Sequence, residues 1–216
     1  MAAGKLRWIR IPLVLLAIGD LALLGQRLQP WQEIASLPGQ GTTGYDPAIS
    51  LAVYIALLFW IGGLRDEKMQ KSLAGGLLLA IPAAVLTISS VLLGDFHVAH
   101  ERSILIGLLA GAAILWGIAG MQGSKLTRSP NVGIVAGVWS AMISALLTVA
   151  VILARLDLNN ATPQSPDPWK QYQGLAIGSE AVQTLVHSLN TATGFLLIAP
   201  LVGGALGLIF AMAVQE

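Results

Sequence analysis

Three histidines and one inward-lying acid are the residues of this chain whose types and spacing could do chemistry. His97 and His100 fall in Asp95-Phe-His-Val-Ala-His-Glu101. In a helix, His97, His100 and Glu101 would share one face, because separations of three and four residues bring side chains to the same side. Together with His187, at the mouth of the last apolar run, they could coordinate Zn²⁺ or a similar ion. The spacing is far less specific than His-Glu-x-x-His, and solvated interfacial histidines explain it with fewer assumptions. Haem ligation would need histidines opposed across a bundle at matching depth, which only His187 with His97 or His100 could supply. The cofactor therefore stays open.

Asp20 is the one carboxylate placed well inside an apolar run. Burying it ionised costs at least about 2.5 kcal/mol in a bilayer, so it must face other helices or a water-filled cavity. No Lys or Arg lies at comparable depth; the available partners are Thr87, Ser89, Ser90, Ser140, Ser144 and Asn190. Two readings stand side by side: a proton- or cation-binding carboxyl, and a neutral, hydrogen-bonded packing residue. The approach to the last run has a polar face of its own. Glu180, Gln183, Thr184, His187, Asn190, Thr191 and Gly194 recur at steps of three and four, opposite Ala181, Val182, Leu185, Val186 and Leu189. This stripe is either an interfacial face in water or a polar vestibule leading toward Asn190 and shared with His97, His100 and Glu101.

The elements that must position these groups are apolar runs of membrane length. Of 216 residues, 55% are hydrophobic and 11% charged, and the mean hydropathy is +0.74, too little polar surface for a water-soluble domain. Six spans are expected at roughly 11–27, 48–64, 73–93, 103–121, 132–154 and 189–213. Runs of this length satisfy their backbone in lipid as helices, so the fold class is all-α, a polytopic bundle in a single domain covering 1–216. Lys5, Arg7 and Arg10 before the first span also fit a signal peptide, but no small-x-small cleavage site follows Leu24-Gly25, so a retained anchor is expected.

Charge sets the orientation. With the N-terminus inside, the inner side receives Lys5, Arg7, Arg10, Arg65, Lys68, Lys71, Lys125 and Arg128, and the outer side only Arg27, Arg102, Arg155 and Lys170. This predicts both termini inside, with Trp8, Trp60 and Trp116 near the inner interface, Trp31 and Trp169 outside, and Trp139 packed in the interior. The outer connections 28–47 and 156–178 are long and rich in turn-forming residues. Asn160-Ala161-Thr162 matches a glycosylation acceptor, though so short a pattern arises readily by chance.

Small residues predict which faces pack. Gly133, Gly137, Ser140, Ala141, Ser144 and Thr148 form one face of the fifth span, and Gly107 with Gly111 and Gly203 with Gly207 form further small pairs suited to packing within the bundle. Pro82 and Pro200 should kink the third and sixth spans. Their corresponding positions in two three-span halves fit an inverted repeat with a midplane site, but wider similarity between the halves is lacking and coincidence is the simpler account.

No cysteine is present, which excludes thiolate chemistry and disulfides, and the net charge of +1 gives no attraction to nucleic acid. No protease, rhomboid-like, b-type cytochrome or phosphate-transferase signature is intact, so an enzyme is not expected. The leading expectation is an accessory, assembly or sensing component of the plasma (inner) membrane, with lipid and a membrane-protein partner or a second copy as partners. A small ion or solute transporter using Asp20 and the polar face of the sixth span is the alternative, and an outer-side metal or haem site the third.

Overall fold

Each apolar run forms a helix longer than the run itself. The computed structural model describes residues 2–27, 45–63, 66–93, 101–158 and 180–214, and of residues 2–10, 27, 62–63, 101, 156–158 and 180–184 the backbone alone. The described residues form six helices and no strand: α1 (Ala2–Arg27), α2 (Tyr45–Gly63), α3 (Glu67–Leu93), α4 (Glu101–Thr127), α5 (Pro130–Leu158) and α6 (Glu180–Met212). Apolar composition marks only the part that fits hydrocarbon. The polar turns beyond it stay helical because the backbone hydrogen bonds continue into them. At 33 residues α6 is about 50 Å long, more than the hydrocarbon core requires.

Local chemistry sets several helix ends. Asp66 caps α3: its Oδ1 accepts the Lys68 N–H at 2.9 Å, and Glu67 pairs with Lys71 at 2.9 Å one turn on. Between α4 and α5, Arg128 takes a left-handed conformation (φ 54°) that stops α4, and Pro130 starts α5 at a position where its missing N–H is no loss.

α3, α4, α5 and α6 are long and apolar enough to cross a bilayer, whereas α1 and α2 carry shorter apolar segments, Ile11–Gln26 and Tyr45–Ile61. The surface is inverted relative to a water-soluble protein. Leu78, Ile106, Phe59, Leu15 and Leu201 are exposed, while Ser72, Thr87, Ser140, Ser144 and Thr148 are buried. Only lipid solvates such a surface, and the chain is an integral membrane protein.

The core is built on α5. Two-thirds of its apolar window (67%) is buried, against a third or less in α3, α4 and α6, and among the described residues it exposes no large hydrophobic side chain. Its closest association is with α6; α3 and α4 pack on each other and on α5. α1 and α2 form a more lightly packed pair beside this group, α1 leaning on α5 and α3, and α2 on α6. The two halves are therefore not packed alike: α5 is the centre of the bundle, but its counterpart α2 is peripheral and exposes Ile49, Val53, Phe59 and Trp60. This asymmetry counts against the inverted repeat. Both α3 and α6 remain helical through Pro82 and Pro200, and Pro82 faces outward, lining no interior site.

Candidate functional site

Among the described residues the bundle interior contains a seam of hydroxyl groups and one carboxyl group. Ser140, Ser144 and Thr148 repeat every four residues on α5, so they stack along one face, and all three are fully buried. Thr148 Oγ1 donates to the Ser144 carbonyl at 2.8 Å and lies 2.7 Å from Thr87 Oγ1 of α3. Ser90 Oγ donates to the Thr87 carbonyl at 2.7 Å. From α4, Trp116 Nε1 donates to Ser144 Oγ at 3.0 Å, and that hydroxyl donates onward to the Ala141 carbonyl at 2.9 Å. Back-bonding to helix carbonyls satisfies a hydroxyl that would otherwise be costly in this setting, and the two interhelical bonds tie α3 and α4 to α5.

Below this seam the helices meet backbone to backbone. A Cβ placed on Gly203 would lie 2.5 Å from Ala141 Cβ and 2.7 Å from the Gly137 carbonyl oxygen; one on Gly133 would lie 2.8 Å from the Gly120 oxygen. Gly120, Gly133, Gly137, Gly203 and Gly207 thus let α4, α5 and α6 touch where no side chain fits. The small-residue face expected on the fifth span is buried throughout, and Gly203 and Gly207 pack inside the bundle. Gly107 differs: it is exposed, and a methyl group added there would meet nothing within 4 Å.

Asp20 stands apart from the seam. Leu13, Ala17, Asp20 and Leu24 follow one another at steps of four, three and four and form the buried face of α1. Asp20 is 1% exposed, and among the described residues neither carboxyl oxygen has a hydrogen-bond partner. The hydroxyls of Thr87, Ser90 and Ser144 are used elsewhere, Ser140 Oγ is itself unpartnered, and Asn190 is exposed. None of the expected partners bonds the carboxyl.

The other sequence-derived candidates are only partly visible. His97 and His100 lie outside the described residues, as do the side chains of Glu101, Glu180, Gln183 and Thr184. His187 is exposed on α6, and its carbonyl accepts Thr191 Oγ1 at 2.9 Å. Among the described residues no three His, Asp or Glu side chains gather as metal ligands.

Two interior residues were misplaced or unremarked at the level of sequence. Trp116 is buried at 5% exposure and bonded to Ser144, not stationed at the inner interface, because its face of α4 turns toward α5. Trp139 is packed in the interior as expected, and Trp60 is exposed. Tyr54 ties α2 to α6 by donating to the Leu196 carbonyl at 2.8 Å. The steps of three and four through Leu51, Tyr54, Leu58 and Ile61 carried the signal for its burial. No family model, no curated protein and no solved structure matches the chain.

Proposed function

We propose that this protein is a non-catalytic component of the plasma (inner) membrane that works through helix packing, in the assembly or sensing of a membrane complex. Six spans and N-in/C-in topology complete this reading. Contacts between helix ends support the orientation: Ser72 lies against Gly123, and Gly133 against Ala211, so the start of α3, the α4–α5 turn and the end of α6 share one end of the bundle. That end carries Lys68, Lys71, Lys125 and Arg128, while Arg102 and Arg155 lie toward the other.

The observation that carries the functional reading is the division of labour in the packing. Glycine contacts and hydroxyl bonds join α3 to α6 in one closely fitted group, whereas α1 and α2 form a separate, lightly packed pair with an unpartnered acid on its inner face. Such a bundle offers a fixed core and one element whose seating can respond to a partner or a signal. Purification in mild detergent tests it: a stoichiometric membrane partner supports the assembly reading. A monodisperse protein that moves protons or cations into liposomes supports the second reading, a small transporter, which Asp20 favours.

A further inference from the structure

We propose that Asp20 is a proton-binding site inside the membrane, occupied while α1 is seated on the bundle and emptied when α1 moves far enough for water to reach it.

The placement and the lack of partners carry this. Asp20 occupies a core position of α1, with Ala17 and Leu24 buried one turn to either side, and both of its oxygens are shut off from solvent without a donor among the described residues. A buried carboxylate needs donors or a cation against each oxygen; a neutral acid has one O–H and needs one acceptor. The helices packed on α1 supply no countercharge at this depth. On α2 the titratable groups are Tyr45 and Asp46, in the first turn, and Tyr54, whose hydroxyl donates to the Leu196 carbonyl. On α3, Glu67, Lys68 and Lys71 lie in the opening turns, with no charged residue from 72 to 93. On α5, no charged residue precedes Arg155, which lies in the last turn. A metal ion would require several further ligands, and none gather here among the described residues. A proton requires no cavity and no second ligating side chain.

Release of that proton leaves a charge that has to be hydrated, and hydration requires α1 to part from α5 and α3. Proton occupancy and helix seating are then linked, each biasing the other. The coupling rests on the α1–α2 pair being the adjustable element; proton binding itself does not.

Infrared spectroscopy of the full chain in liposomes tests the site, with carbon-13 aspartate identifying aspartic acid carbonyls in the wild-type protein. The expected result is a protonated-carboxyl band that shifts with the isotope, is missing from Asp20→Asn, and disappears within a titration toward alkaline pH. Spin labels on α1 and α5 should report separation over the same interval. No isotope-sensitive acid band anywhere in the titration overturns the proposal, and requires no variant to fold. A band that titrates without any change in the α1–α5 distance upholds the proton site and refutes the adjustable pair; a distance change without a band refutes the proton site alone.

Discussion

Replacing Gly203 with alanine should loosen the bundle at its tightest contact. The new methyl would sit 2.5 Å from Ala141 Cβ and 2.7 Å from the Gly137 oxygen, where carbon atoms pack favourably at about 3.5–4.0 Å. Because the Gly137 oxygen is backbone, no rotamer change relieves the overlap, and α5 and α6 must part by about 1 Å along the contact. Overpacking of this kind costs about 1–3 kcal/mol, against a helix-propensity gain of at most about 1 kcal/mol for removing a glycine. Net destabilisation of about 1–2 kcal/mol is expected for Gly203→Ala and also for Gly137→Ala. The double variant should lose less than the sum, since the first methyl already separates the helices that the second would push. Gly194→Ala, with nothing within 4 Å, is the control and should be neutral or mildly stabilising. Reversible unfolding in mixed micelles, followed by circular dichroism, measures all four. Gly203→Ala and Gly137→Ala variants as stable as Gly194→Ala would refute backbone contact between α5 and α6.

Thr87→Val and Thr148→Val, taken singly and together, should give a coupling energy of about 0.6 kcal/mol in the same assay, the usual scale for an interhelical hydroxyl bond in a membrane protein; a coupling of zero would remove the 2.7 Å bond. Arg128→Gly should stabilise the protein by about 0.5–1 kcal/mol, because glycine adopts φ 54° without the steric penalty of a side chain, and a destabilised variant would contradict the left-handed turn. Single cysteines at Lys68 and Lys125 should be shielded from an impermeant thiol reagent in intact cells while one at Arg102 reacts, and the reverse pattern would invert the topology.

The helices and the chief packing face were legible because both are local or periodic in sequence. Gly133, Gly137, Ser140, Ala141, Ser144 and Thr148 mark one side of α5 at helical spacing, and only close neighbours make use of such a side. What sequence could not supply was the arrangement of helices around that face. Hydropathy treats every span alike, so it gave no sign that α5 is central and α2 peripheral. For the same reason Trp116 read as an interfacial anchor when its indole is turned onto Ser144. Asp20 was legible as an exceptional residue from its depth, but its lack of partners among the described residues depends on the tertiary arrangement: several hydroxyls were available by sequence, and those of Thr87, Ser90 and Ser144 bond their own helices instead.

The protein is a membrane-embedded bundle with α5 enclosed by protein and the other helices facing the lipid. Because the chain lacks cysteine, single spin labels can be placed along α3 and α5 in liposomes without background. Collision with lipid-dissolved oxygen should be high at Leu78, Ile81 and Val85, whose side chains are exposed at mid-span of α3, and low at Ala136, Ser140, Ile143 and Leu146 around α5. Oxygen access of equal amplitude on the two helices, or water access at Leu78 and Ile81, would contradict this arrangement.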